Sequence, residues 1–273
     1  MDRRIGRLLH IAGLVVVVVV TLFPFYWMVS SSFKAQTDLL ANPPQWLFAP
    51  TLANYQAVYA DGVLLGAVAN SLIVAVFATI LSVAFGAPAA YALARYSFRG
   101  KSDLWFWFIS NRMITPVALA LPIYIISRSV GLLDTYQVLV LVYITFNLPI
   151  VVWICTDQFK GIPHELEQAA RLDGASQWTI FRRIYLPLGM PGVAVSAIFS
   201  FIFSWNELLY ALVLINKTER KTAAVVATNY MSGYELPWGK IMATGTIIVL
   251  PVIVFSLIVS RHMVRGLTMG ATK

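Results

Sequence analysis

The stretch HELEQAARLDGASQWTIFRRIYLP, His164–Pro187, is a charged, helix-friendly segment with one glycine near its middle, set between two long apolar runs. Pro163 suits the first turn of a helix, where its missing N–H removes no bond. Glu165 and Glu167 stand in that turn and complement the positive end of the helix dipole. Ile162, Leu166, Ala169, Ala170 and Asp173 follow at helical spacing, giving a modest face with very small residues at its centre. Gly174 fits the left-handed position that closes a helix. Ser176 suits the N-cap of a second helix, with Trp178, Ile180 and Phe181 on one side and Arg182 and Arg183 on another. Pro187 predicts a break before the next apolar run. The segment reads as a short helix–turn–helix. One reading is a membrane-surface loop that only joins two spans. The other is a docking element, since lipid-surface helices carry bulkier apolar residues and more cations, whereas the alanine pair leaves a shallow face suited to close docking of another protein.

The flanks of this segment set the protein class. Of 273 residues, 59% are hydrophobic and 12% charged, with mean hydropathy +0.76. Soluble domains are about one-quarter charged, so much of this surface must face lipid. A spanning helix needs about 20 apolar residues. Six stretches qualify: 9–31, 65–94, 103–127, 135–158, 189–214 and 239–260. The third is the least regular, interrupted by Asn111, Arg112, Pro116 and Pro122. Arg3, Arg4 and Arg7 before Ile11–Leu22 resemble the start of a signal peptide, but the apolar run continues through Trp27 without a small-residue cleavage pattern. A retained first span is expected. With the N-terminus inside, Lys and Arg favour the cytoplasmic side by roughly two to one. The net charge of +8 then reports topology rather than nucleic-acid binding. The expectation is one all-α polytopic domain, 1–273, with six spans and both termini cytoplasmic. Its connecting parts are a cytoplasmic loop 161–187, a polar external loop 215–238 with Gly233 and Pro237 as turn formers, and a tail 261–273. Residues 33–64, rich in Pro and aromatics, suit an interfacial or ordered outer loop.

Polar groups inside lipid are costly and mark functional candidates. Asn111 and Arg112 lie about one-third of the way into the third run. Arg112 either snorkels to the inner interface, pairs structurally, or lines a translocation path, where it would give an anionic solute a charge-assisted hydrogen bond. Trp205, Asn206 and Glu207 fall in the outer-central part of the fifth run. Glu207 either pairs within an assembly or lines a cavity; Trp205 offers a flat face for a sugar ring or for packing. Asn70 and Ser71 suit bonding between helices, and Tyr124, Tyr143 and Asn147 are further cavity candidates. Cys155, the single cysteine, reads as a small buried or lipid-facing hydrophobe. His10, His164 and His262 are dispersed and lack metal-ligand spacing. There is no phosphate-binding loop and no Ser–His–Asp or Cys–His constellation. The chain is therefore expected to be non-catalytic, with no cofactor of its own, and to borrow any energy coupling from a partner. An ion-coupled secondary transporter is the alternative; it would want acidic or histidine residues deep in the spans, and only Glu207 fits loosely.

The spacing Ala169–Ala170, Asp173–Gly174–Ala175, Ile184, Leu186–Pro187 resembles the coupling-loop motif of bacterial ABC import permeases: EAA, three residues, G, about nine residues, I-x-LP. Gln168 departs from it, standing where the family has Glu, although Glu167 precedes it. FPFYWMVSSSFK at the end of the first run, FSWNELLYAL in the fifth and VRGLTMGATK at the C-terminus resemble MalG-like permeases of carbohydrate importers, so the likeness spans the chain. It implies a type I importer permease fold in the bacterial cytoplasmic (inner) membrane. It also implies a second, homologous permease, two ATPase subunits holding ATP and Mg, an extracytoplasmic solute-binding protein, and a sugar, polyol or sugar derivative as solute. A non-carbohydrate solute stays open. By this likeness Glu165, Glu167, Gln168, Ala169, Ala170, Asp173, Gly174 and Ala175 would couple to the ATPase. Gly266, Leu267, Gly270 and Lys273 would form a tail reaching it, and 215–238 would meet the binding protein.

Overall fold

The computed structural model describes residues 3–230 and 236–268. Among them the elements are helical: α1 (Arg3–Ser32), α2 (Gln36–Leu39), α3 (Ala53–Ala60), α4 (Leu64–Arg95), α5 (Lys101–Met113), α6 (Pro116–Ser129), α7 (Tyr136–Lys160), α8 (His164–Leu172), α9 (Gln177–Ile180), a π turn (Phe181–Tyr185), α10 (Leu186–Leu188), α11 (Met190–Trp205), α12 (Leu209–Leu214), a 3-10 turn (Thr218–Arg220), α13 (Ala223–Asn229) and α14 (Trp238–Thr268). With no water in the bilayer core, helices satisfy every backbone group internally. Four are long and apolar enough to cross unaided: His10–Ser32, Leu64–Arg95, Tyr136–Lys160 and Trp238–Val259. Two bent pairs raise the total to as many as six.

The first pair differs from the continuous span expected at 103–127, whereas the second bends at the start of the run expected at 189–214. The α5 and α6 axes meet at 97°, because Pro116 holds Thr115 extended at φ −64°, ψ 127°, and Ile114 is extended too. The stretch Gln177–Leu188 meets α11 at 77°. That bend falls at Gly189, not at Pro187 as expected. A proline inside a helix crowds the carbonyl four residues back and cannot bond it. The widened π turn at Phe181–Tyr185 absorbs this, so the helix continues through Pro187. The fifth run breaks again at Asn206–Leu208, between α11 and α12.

Two compact units are present: Met1–Leu64 with Ala227–Leu250, and Leu65–Val226 with Pro251–Lys273. In the first, Asn54 donates to the carbonyls of Ser32 (2.9 Å) and Lys34 (2.8 Å), and the Ser32 hydroxyl pairs with Tyr55 at 2.7 Å. These bonds tie α3 to the end of α1.

In the second unit, close approach between helices replaces a hydrophobic driving force, since lipid is as apolar as a leucine core. One face of α4 carries Ser71, Ala75, Ala78, Ser82, Gly86 and Ala90, all buried. A Cβ on Gly86 would stand 2.6 Å from a Val151 methyl of α7. On α11, Gly192, Ser196, Ser200 and Ser204 recur every fourth residue and are buried along α7. Gly192 sits against the Gln158 side chain, Ser196 lies 3.6 Å from the Cys155 sulfur, and Asn147 donates to Ser204 at 2.8 Å.

Candidate functional site

The helix–turn–helix is built much as the sequence predicts. Gly174 has φ +77°, and Ser176 caps α9 by accepting from the Thr179 N–H at 3.2 Å. What fixes α8 in place is Glu167, buried at 3% exposure. Its carboxylate lies 3.3 Å from Arg95 at the end of α4 and accepts from Arg171 (2.6 Å) and Tyr185 (2.8 Å). Arg95 also donates to Tyr185 and, at 2.9 Å, to the Ile162 carbonyl. Burial pushes the Glu167 carboxyl up; the bonds from Tyr185 and Arg171 and the charges of Arg171 and Arg95 more than offset this, leaving it below its ordinary value. Beneath lies an aromatic cluster of Tyr91, Phe159, Phe181 and Tyr185.

This anchoring divides the expected docking face. Ala170 and Ala175 pack inward on the aromatic core, so the alanine pair does not point outward as a unit. The outward stripe is Leu166, Ala169 and Leu172, three residues apart, with Leu172 at 90% exposure. Glu165, Gln168, Asp173 and Gly174 are exposed around it. Leu172 was visible in the sequence as the next step of that stripe. Arg95 and Tyr185, distant along the chain, gave no local signal.

A cavity of about 380 Å³ opens where α5 gives way to α6, facing α7 and the break between α11 and α12. Arg112, Asn147 and Glu207 line it, joined by Tyr143, Ser204 and Tyr210. Arg112 donates to the Phe146 carbonyl at 3.3 Å and stacks 4.5 Å over Phe203. Glu207 accepts from Tyr143 (3.0 Å) and from the backbone N–H groups of Tyr210 (3.1 Å) and Ala211 (3.2 Å), so it caps α12 rather than interrupting a continuous helix. Tyr210 in turn donates to the Pro116 carbonyl at 2.9 Å, tying the two breaks together. Four candidates stand apart from the cavity. Trp205 is buried and stacked on Phe201 at 5.8 Å, a packing residue. Asn206 caps α11, donating to Ile202; Tyr124 packs on the core, and Asn111 lies on α5 without facing the cavity.

A family model described as the binding-protein-dependent transport system inner membrane component matches residues 82–269. The chain belongs to that family. The permease is 38% identical to the trehalose transport system permease protein SugB of Mycobacterium tuberculosis, over 92% of each chain. It is 32% identical to the trehalose/maltose transport system permease protein MalG of Thermococcus litoralis, over 98% of this chain and 97% of that one. A further relative, 31% identical over 98% of this chain and 94% of its own, is the sulfoquinovosyl glycerol transport system permease protein SmoH of Agrobacterium fabrum. Among solved structures, a chain of a bacterial ABC transporter involved in the import of alginate superposes with TM-score 0.78 at 22% identity, covering 96% of this chain and 98% of that one. That likeness establishes the type I importer permease fold.

The permease's loop 215–238, expected to be a polar external connection, departs from a plain polar one. Its AAVVATN run forms α13, with Ala223, Val225 and Val226 buried, because four consecutive small or branched apolar residues favour the core. Asn70 donates to the carbonyls of Glu219 (2.8 Å) and Lys221 (2.9 Å), and Ser71 accepts from the Ala223 N–H at 2.8 Å. Asp134 accepts from the N–H groups of Asn216 (2.5 Å) and Lys217 (2.9 Å). Asn70 and Ser71 thus pin a loop, and Asn70 also bonds between spans as expected, accepting from the Tyr136 hydroxyl of α7 at 2.9 Å. Gly233 lies outside the described residues, as do Gly270 and Lys273 of the tail; Gly266 and Leu267 belong to α14.

Proposed function

We propose that this permease imports a sugar, polyol or sugar derivative across the bacterial cytoplasmic membrane, driven by ATP and Mg on two partner ATPase subunits. A second homologous permease completes the pathway, and an extracytoplasmic binding protein delivers the solute. The sugar-transport names of the relatives support the solute class. The observation that carries the coupling role is α8 itself: Glu167 fixes one side to Arg95 of α4, while Leu166, Ala169 and Leu172 stand unpartnered on the other. Movement imposed on the stripe passes through the buried carboxylate to a helix that runs the depth of the membrane. The cavity holding Arg112, Asn147 and Glu207 is then a segment of the solute path.

Substitution at Gly174 tests this. A Cβ there meets open space, so only backbone strain is introduced, about 1–2 kcal/mol for a left-handed L-residue. Gly174→Val is expected to insert and pair with its partner permease normally while losing ATPase co-purification and solute uptake. Wild-type uptake by G174V would overturn the coupling role.

A further inference from the structure

A second cavity, of about 210 Å³, lies in the first compact unit at the end of α1 opposite the N-terminus. Trp27, Ser31, Lys34, Asp38, Gln45 and Trp238 furnish its polar and aromatic lining. Lys34 is buried at 2% exposure, yet among the described residues no carboxylate lies within 4 Å of it. Its ammonium donates to the Gln45 carbonyl at 2.8 Å and rests over the Trp27 (4.4 Å) and Phe48 (5.0 Å) rings. An ammonium has three donors, so two are left for other acceptors. The Ser31 hydroxyl, also buried, has no hydrogen-bond partner among the described residues. A buried charge and a buried orphan hydroxyl each cost free energy unless something completes their bonds.

The lining selects the chemistry of that something. Lys34 and Ser31 offer donors, Asp38 and Ser31 offer acceptors, and two indoles offer flat apolar walls. An anion would meet the Asp38 carboxylate and a cation the Lys34 ammonium. A neutral ring bearing both hydroxyls and C–H faces satisfies all of them. The volume corresponds to about seven waters at ~30 Å³ each, room for one pyranose ring and not two. We propose that this cavity is an extracytoplasmic subsite for a single sugar ring of the solute, separate from the cavity at Arg112. The proposal rests on the carbohydrate reading given above and on the orientation set by the charge asymmetry of the loops.

Leu39 lines the cavity without a polar role, and the native Cys155 is fully buried, which allows a protection assay. Leu39→Cys permease, assembled with its partner subunits in lipid nanodiscs, is alkylated with N-ethylmaleimide and the modified peptide quantified by mass spectrometry. Methyl α-D-glucopyranoside and trehalose are the probes. Protection scales as 1 + [L]/Kd, so alkylation should slow about fivefold at four times Kd. Adding Lys34→Met should abolish protection, and Arg112→Met should leave it intact. Should K34M lower the yield of complex, Asp38→Leu at its half-buried position carries the same expectation. The subsite is overturned by absent protection with both sugars, by protection that survives K34M and D38L, or by protection from inorganic phosphate alone, which would mark a lipid-headgroup site. Carbohydrate uptake by the same complex is read separately: its absence strikes the proposed function, whereas absent protection strikes the subsite.

Discussion

Glu167 shows how one buried residue can hold a short helix in place. Removing its charge leaves Arg95, whose side chain is 4% exposed, buried without a counter-ion. Breaking a buried pair in this way costs about 3–5 kcal/mol. Glu167→Gln keeps the shape and some hydrogen bonding, so about 2–3 kcal/mol is the expected loss. It should appear as a lowered unfolding temperature of the purified complex and weakened coupling of ATP hydrolysis to uptake; an unchanged pair of values would show that the anchor is dispensable. Because the folded carboxyl titrates below its ordinary value, its stabilisation is complete above the ordinary carboxylate range and is lost as pH falls through the folded value. E167Q should remove that acid-side loss. The sequence displayed Glu167 as a charge suited to a helix start, and Gln168 as the departure from the family motif. The buried partner is Glu167 and not position 168, which is exposed. Local pattern could not show this, because Arg95 joins it from 72 positions earlier in the chain, a distance read directly from the numbering.

At the scale of elements, the α7–α11 contact depends on small residues at every fourth position. Ser196 is fully buried and faces Cys155, so Ser196→Leu forces extra methylenes into a filled interface, at about 1–3 kcal/mol. Phe199, nearly a turn further along α11 and 44% exposed, is the control: Phe199→Leu should leave unfolding temperature nearly unchanged while S196L lowers it by several degrees. Equal effects would dismiss the seam. Helix existence and the turn at Gly174 were legible, since apolar length, glycine and Ser176 are local signals. The break at Gly189 was not. Whether Pro187 ends a helix depends on the turn before it, and the π widening at Phe181–Tyr185 is a response to packing of Phe181 and Tyr185 in the aromatic core. The cap role of Glu207 was hidden for the same kind of reason: it follows from where α11 stops.

Across the whole molecule, the parity of membrane crossings decides whether the parts can work together. If the bent pair α5–α6 crosses, α7 returns the chain to the side of the N-terminus and α8 faces the ATPase. If that pair is re-entrant, α8 falls on the opposite side and the coupling role is impossible. The cation asymmetry of the loops favours crossing, because Lys160, Arg171, Arg182 and Arg183 then join Arg95, Arg99 and Lys101 inside. Exposed positions allow a direct reading against the buried Cys155: Thr37, Ser97, Ser129, Arg182 and Thr218. Single cysteine substitutions there are treated with a membrane-impermeant maleimide in intact spheroplasts. Thr37→Cys, Ser129→Cys and Thr218→Cys should label at once, and Ser97→Cys and Arg182→Cys only after permeabilisation. Ser129 is the decisive position, since labelling of S129C only after permeabilisation would make α5–α6 a re-entrant loop. The same result would place α8 outside and remove the physical basis for its docking to an ATPase.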